Sequence, residues 1–386
     1  MKHFTYLAVV ASLLTSTIFA APSWGGSGSK KSSSIPSVDG KVFNIDGKTQ
    51  YFAGTNSWWL GHLTSDADVD QACSEISSSG LKVSRVWAFG NANKPSDQTI
   101  YYQLLDNVTQ TISINYNATS GIPRLDSAIH HAEKYGLKLV LPMLNNWDDL
   151  GGIDTYCNYF GCNATTFYTD TAAQTAYKNY IAFIVNRYKS SPAIFSWELC
   201  NEPRCHGCDS SVITTWASET SAFIKSLDPT HMVTLGDEGW FCSGGDGSYA
   251  YSCGEGVDFE ANLQVSTLDY GTFHMYPDQW GYNYTWGNTW IEEHAALSTQ
   301  YDKPVVLEEY GIQNDTYNTN NRTSAMRMYQ ETVTASQVAY DGNWQFGTVF
   351  ADGEAPFDDY TSYYGTEYFN ETEGVHVKEM AAKSVS

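Results

Sequence analysis

Two short apolar runs that stop abruptly at carboxylates constrain this chain more than any other feature. Ile194-Phe195-Ser196-Trp197 leads into Asn201-Glu202-Pro203, and about a hundred residues later Pro304-Val305-Val306-Leu307 leads into Glu308-Glu309. A continuous apolar run of this length reads as a strand buried on both faces. Pro203 removes a backbone donor and ends any further ladder. A carboxylate at the tip of a buried strand is costly to keep unless it is paired or used. One Asn-Glu-Pro tripeptide alone would equally suit a capped strand end with a solvated glutamate. Two such tips are what an opposed carboxylate pair in the mouth of a parallel barrel requires. Glycoside hydrolysis needs such a pair, one as proton donor and one as nucleophile or base.

The rest of the chain alternates strand, polar loop and amphipathic helix. Strands are expected at Tyr51–Thr55, Lys82–Trp87, Lys138–Met143, Ile194–Asn201, His231–Leu235, Tyr270–His274, Pro304–Glu309 and near Asn343–Phe346. Helices are expected around Leu125–Ala132 with Gly136 as a stop, at Ala172–Tyr188, and at Val212–Leu227 closed by Asp228-Pro229. The loops Asn145–Thr169 and Trp240–Val265 are long and aromatic. With 386 residues, a single (β/α)8 TIM barrel with long loops at its C-terminal face accommodates the pattern. The barrel is expected over residues 38–386. Residues 21–37, rich in Gly and Ser, read as a disordered N-terminus, and no solenoid-type repeat is visible.

Residues 1–20 have the layout of a signal peptide: Lys2 and His3, an apolar run from Tyr6, and small residues at Ala20-Ala21. The expectation is a secreted, extracellular, monomeric protein. Seven Asn-X-Ser/Thr sites, at Asn107, Asn117, Asn163, Asn283, Asn314, Asn321 and Asn370, agree with export. Of eight cysteines, three local pairs suggest themselves: Cys157 with Cys162, Cys205 with Cys208, and Cys242 with Cys253. Cys73 and Cys200 either pair with each other or stay as buried thiols. A net charge of −22 argues against nucleic acid or an anionic membrane as partner, and is indifferent to an uncharged polymer. Most of the twelve Trp and 27 Tyr must be core or surface filler, yet an excess of such rings is what a sugar-binding cleft uses, since they cover the C–H faces of sugars. No metal or organic cofactor is expected, since no HExxH, phosphate loop or metal-spaced His/Asp cluster occurs.

From about Val42 to Tyr368 the chain resembles the fungal endo-β-1,4-mannanases of glycoside hydrolase family five, a retaining (β/α)8-barrel family. The resemblance is carried by YFAGTNSWWLGHL (51–63), VSRVWAFGNAN (83–93), NNWDDLGG (145–152), WELCNEPRCHGC (197–208), SLDPTHMVTLGDEGWF (226–241), DYGTFHMYPDQWG (269–281), KPVVLEEYG (303–311) and WQFG (344–347). It implies internal cleavage of a plant-type mannan polysaccharide, with Glu202 as acid/base and Glu309 as nucleophile. Glu309-Tyr310-Gly311 fits the family motif and Glu308 does not. Adjacent strand residues face opposite ways, so Glu308 is expected outside the mouth or behind it. By the same resemblance Arg85 orients the nucleophile and Asn201 bonds the sugar 2-hydroxyl. Arg204 contacts the leaving-group sugar, and Glu238, His274 and Tyr276 line the wall. Trp344 lies under the sugar at the cleavage point, and Trp58, Trp147 and Trp280 are further cleft candidates. The same residues would serve a cellulase, a β-1,3-glucanase or an exo-β-mannosidase. A non-cleaving wall protein that binds polysaccharide would not need both carboxylates.

Overall fold

A computed structural model of the chain describes residues 35–314 and 319–385. The expected signal peptide and most of the Gly/Ser-rich stretch lie outside the described residues. Eight strands form one parallel sheet: β1 Phe52–Asn56, β2 Val83–Arg85, β3 Lys138–Pro142, β4 Ile194–Glu198, β5 Met232–Thr234, β6 Gly271–Met275, β7 Val305–Tyr310 and β8 Tyr340–Asn343. Their order around the sheet is β5-β4-β3-β2-β1-β8-β7-β6. Single bonds join its two edges, from Asp269 N to Val233 O at 2.8 Å and from His274 N to Glu238 O at 3.1 Å. The result is a nearly closed (β/α)8 barrel, as the alternating pattern implies.

Helices α1 Asp66–Ser79, α2 Pro123–Tyr135, α3 Thr171–Tyr188, α4 Ser211–Leu227, α5 Phe259–Leu263, α6 Trp286–Tyr301, α7 Thr319–Ala335 and α8 Glu373–Ala382 connect the strands or close the chain. Local chemistry sets their ends. Asp170 caps α3 by accepting from the amides of Ala172 and Ala173. Gly136, at φ 69°, ends α2 in the left-handed conformation that a side chain disfavours. The loop after β3 carries a further helix, Ile153–Phe160, within the stretch expected to be irregular.

The eighth strand lies earlier than expected, at Tyr340–Asn343 rather than near Asn343–Phe346. Asp341, Gly342 and Asn343 are poor strand formers by propensity, and tertiary packing overrides it. A Cβ at position 342 would come within 2.8 Å of the Glu308 carbonyl oxygen, so this close pairing with β7 needs glycine.

The lower end of the barrel is closed by an element not anticipated, a three-stranded antiparallel sheet of Ser37–Asp39, Val42–Ile45 and Lys48–Gln50. Its first strand begins within the stretch expected as a disordered tail. Asp46 and Gly47 both take positive φ and turn the hairpin, an Asp-Gly signal that the sequence does carry. The hairpin pushes Phe43, fully buried, into the barrel, where its ring meets Phe195 at 5.0 Å and Tyr270 at 5.2 Å. Phe52 stacks on Tyr340 at 4.9 Å beside them. Replacing Phe43 with Ala removes this plug and is expected to lower the unfolding free energy by about 3–5 kcal/mol. Denaturant unfolding reads this directly, and an unchanged midpoint would mean that the hairpin does not support the barrel.

Candidate active site

Parallel strands place all their C-terminal ends on one face, and the polar residues of this barrel gather there. Arg85, the last residue of β2, is 2% exposed and sits at the centre. Its guanidinium forks onto Glu198, with Nε to Oε2 at 2.8 Å and Nη2 to Oε1 at 2.5 Å. Nη2 also donates to Asn201 Oδ1 at 2.8 Å, and Nη1 donates to Glu309 Oε1. Glu308 Oε2 lies 3.4 Å from Arg85 Nε. Glu198, Glu308 and Glu309 therefore share one buried cation.

Glu309 lines the cleft and Glu308 lies buried behind it, as expected, but both carboxylates reach Arg85 for a specific reason. Pairing between β6 and β7 slips by one residue, from Phe273 opposite Leu307 to His274 opposite Glu309. A bulge of this kind puts two residues against one and breaks the alternation. Both glutamates thus reach Arg85, with Glu308 buried below Glu309.

Glu202 follows β4 with φ 49°, a left-handed conformation unusual for a glutamate. Its Oε1 is 2.7 Å from His274 Nδ1, and its Oε2 accepts from Trp147 Nε1 at 2.6 Å. Tyr276 OH donates to Glu309 Oε2 at 2.9 Å, and His274 Nδ1 lies 3.6 Å from the same oxygen. Carboxylate oxygens of Glu202 and Glu309 approach within 4.8 Å. Among the described residues, Glu202, His274 and Glu309 form the one group compact enough to share a metal ion. Each already has a hydrogen-bonding partner within the protein, and the Arg85 cation touches Glu309 directly.

Burial pushes Glu309 upward against the opposing charges of His274 and Arg85. Burial also disfavours charge on Glu202, but the His274 bond and charge, Arg204 and Trp147 outweigh it and hold Glu202 down to about 2. His274 loses solvation, yet Glu309, Glu202 and Glu308 raise it well above the ordinary histidine value. The resting site therefore keeps its exchangeable proton on His274, one hydrogen bond from Glu202. Glu198 is pushed up to about 8 by burial against the pull of Arg85.

A cleft of about 990 Å³ opens above this floor. Asn201, Glu202, Arg204, Glu238, Tyr276, Glu309, Trp58, Trp147, Trp280 and Trp344 all line it. Arg85 and His274 do not: they lie beneath the carboxylates, and His274 is fully buried. Arg204 forks onto Glu238 at 2.5 and 2.6 Å, and its guanidinium lies 5.0 Å from the ring centre of Trp147. Glu238, which also accepts from Trp240 Nε1 at 3.0 Å, is pushed up to about 7 by burial and by the charge of Glu202. It holds Arg204 in place. Trp344 Nε1 donates to Asp358 Oδ2 at 2.7 Å.

Four residues at the site were not singled out from the sequence: Glu198, Asn145, Trp87 and Asp358. Glu198 had a readable signal, since it is a carboxylate inside the same apolar run that ends at Glu202. Asn145 accepts from Asn201 Nδ2 at 2.9 Å, and Trp87 lies under the Arg85 guanidinium at 4.7 Å. The three anticipated disulfides are formed, and Cys205–Cys208 closes the turn directly after Arg204. Cys73 and Cys200 are free and buried.

A family model described as GH family 5 beta-mannosidase-like matches residues 33–351. The chain belongs to glycoside hydrolase family 5. Among its family 5 relatives is mannan endo-1,4-beta-mannosidase A of Aspergillus aculeatus, 49% identical over 91% of this chain and 92% of that protein. The enzyme of the same name from Hypocrea jecorina is 48% identical over 95% of this chain and 80% of its own length. The crystal structure of an endo-1,4-beta-mannanase from Rhizomucor miehei superposes with a TM-score of 0.84 at 34% identity. It covers 91% of this chain and all of that one.

Arg85→Lys keeps one charge but loses the planar fork that spans Glu198, Asn201 and Glu309. It is expected to lower kcat about a hundredfold through misplacement of Glu309. Incomplete compensation of the buried carboxylates should also cost about 3–5 kcal/mol of stability. Steady-state kinetics with thermal unfolding measure both, and near-normal kcat would remove Arg85 from the positioning role.

Proposed function

We propose that the protein is a retaining endo-β-1,4-mannanase, with Glu309 as nucleophile and Glu202 as acid/base. The observation that carries this is the Glu202–Glu309 pair, within 4.8 Å, on the floor of an open, Trp-lined cleft. Retaining glycosidases hold their two carboxyl groups about 5–5.5 Å apart, too close to seat a water for direct displacement. The family relatives named for mannan support the choice of sugar, and the signal-like leader and sequons support secretion as a glycoprotein. Among the described residues no helix is long and apolar enough to cross a membrane.

In the first step Glu309 attacks the anomeric carbon and forms an ester. The bond to the leaving oxygen breaks, and Glu202 delivers a proton to that oxygen. That proton reaches Glu202 from His274 Nδ1 across 2.7 Å. The imidazolium–carboxylate pair and the imidazole–carboxylic acid pair differ only in where it sits, so the two groups titrate as a unit. Once Glu309 is esterified its charge is gone, and Glu202 takes a proton from water, which displaces the ester. Tyr276 and Arg85 hold the two oxygens of Glu309 throughout. Asn201, fixed by Arg85 and Asn145, supports the reading of the 2-hydroxyl, whose axial placement distinguishes mannose. A site built around a hydroxyl strongly penalises a sugar that misplaces it.

The function is tested by comparing linear mannan with carboxymethyl cellulose while following viscosity and product size. An early fall in viscosity on mannan with short oligosaccharide products is expected. Faster cleavage of cellulose, or mannose alone without a fall in viscosity, would overturn the reading. The roles are tested separately with Glu309→Gly and Glu202→Ala, azide and an activated aryl substrate. Rescue at position 309 should yield a glycosyl azide of inverted configuration, and at 202 one of retained configuration. The reverse pairing would exchange the assignments.

The pH profile carries a further expectation. The rate falls in acid as Glu309, raised by burial, takes up a proton, and falls in alkali as the proton shared by His274 and Glu202 is lost. His274→Gln removes a cation that lowers Glu309 and a group that retains the shared proton. Its kcat/KM profile should narrow from both sides, with the acid limb moving up and the alkaline limb down. An unmoved alkaline limb would show that His274 does not share the catalytic proton.

A further inference from the structure

Phe357 is an exposed aromatic that the core does not use. It is 63% exposed, yet it lines the same cleft as the two catalytic carboxylates. The loop that carries it, after β8, is tied down on both sides. Asp358, the next residue, accepts from Trp344 Nε1 at 2.7 Å, and its own amide donates to Thr361 Oγ1 at 2.9 Å. The Asp359 carbonyl accepts from Asn314 N at 2.7 Å, and Ala355 N donates to Thr348 O at 3.0 Å. What sets this ring apart from other exposed apolar residues is that a fixed loop presents it to the cleft that holds the two carboxylates, where it is placed to meet a ligand.

The barrel topology gives this ring a side. β8 and β4 stand opposite one another in the eight-strand order, so the loop bearing Phe357 faces the loop bearing Glu202 and Arg204 across the mouth. The acid must lie beside the oxygen it protonates, so the leaving sugars occupy the Glu202, Trp147 and Arg204 side. The sugars that remain on the enzyme as the ester extend the other way, over Trp344 towards Phe357. Resting on the endo-mannanase reading above, we propose that Phe357 is the stacking platform of a distal subsite for the non-leaving part of the chain, at least two sugars from the bond cleaved. Gln313 and Asp359, 3.3 Å apart on the same rim, supply hydroxyl partners beside it. Asp358 ties this loop to Trp344, so the distal platform is anchored to the ring under the reacting sugar.

The test compares Phe357→Ala and Phe357→Trp with the wild-type enzyme on mannopentaose and on dinitrophenyl β-mannoside, which occupies one sugar place. In Phe357→Ala the ratio of the two kcat/KM values, pentaose over monoside, should fall about tenfold. Isotope labelling of the reducing end should show fewer cuts that leave three sugars on the non-leaving side. Phe357→Trp should restore both ratio and cut position. An unchanged ratio, an equal loss on both substrates, or a loss seen only with galactose-branched chains would overturn the proposal. If the wild type prefers cello-oligosaccharides, the choice of mannan fails instead, and the same comparison in the cello series still reads the subsite.

Discussion

A guanidinium almost removed from solvent, in contact with three carboxylates, is the interaction on which the rest of the upper barrel depends. Each of Glu198, Glu308 and Glu309 would be prohibitive to bury alone. Arg85 makes the group tolerable, and its planar fork fixes where they sit. Glu198 takes two donors and becomes part of the cation's mounting. The remaining nitrogen, Nη1, is thereby aimed at Glu309, and Nη2 also reaches Asn201, so the positions of the proposed nucleophile and of Asn201 are set by one group. Such an arrangement contributes little net stability, because desolvation offsets most of the attraction. Its value is preorganisation, with charges fixed before the substrate arrives.

The lower half of the barrel supplies the stability that the upper half does not. Phe43, Phe52, Phe195, Tyr270 and Tyr340 fill it as an aromatic cluster, edge-to-face around Phe43 and stacked between Phe52 and Tyr340. The N-terminal hairpin closes it from below and so keeps water away from the underside of the charged layer. In that dry setting each hydrogen bond to a carboxylate is stronger than it would be at a wet surface. The two layers are coupled through single strands: β4 contributes Phe195 to the aromatic layer and Glu198 to the charged one.

How much of this could be read from the sequence depended on whether the signal was local. The place of Glu202 and Glu309 in the cleft was legible because a carboxylate ending an apolar run is a cost visible in one dimension. The strand–helix alternation gave the barrel for the same reason. Glu308 lies behind the mouth as alternation implies, but its reach to Arg85 was not legible, because the slip between β6 and β7 exists only once two strands meet. The eighth strand was placed late because Gly342 answers to a close approach from β7 rather than to strand propensity. His274 was expected in the wall, and it lies under the floor instead. A two-residue spacing from Tyr276 says that they share a face, but not how deep each sits. The hairpin that closes the barrel carries a local Asp-Gly signal, but it directly follows a Gly/Ser-rich stretch whose composition favours no fixed structure.

The depth of His274 changes what the site does with its proton. In the free cleft, water stabilises charges at the rim, and the imidazolium faces ionised Glu202 and Glu309. A chain lying in the cleft displaces that water and leaves Glu202, the more exposed partner, in a drier environment. Desolvation disfavours charged forms, so the neutral pair, imidazole and carboxylic acid, gains on the charged pair. On the proposed mechanism the proton then crosses to Glu202, where the leaving oxygen needs it. Glu309 cannot neutralise itself in the same way while Arg85 holds one of its oxygens and Tyr276 the other. On the proposed mechanism, substrate binding separates two carboxyl groups of similar chemistry into an acid and a nucleophile, and the separation follows from one being tied to a fixed cation and the other to a movable proton.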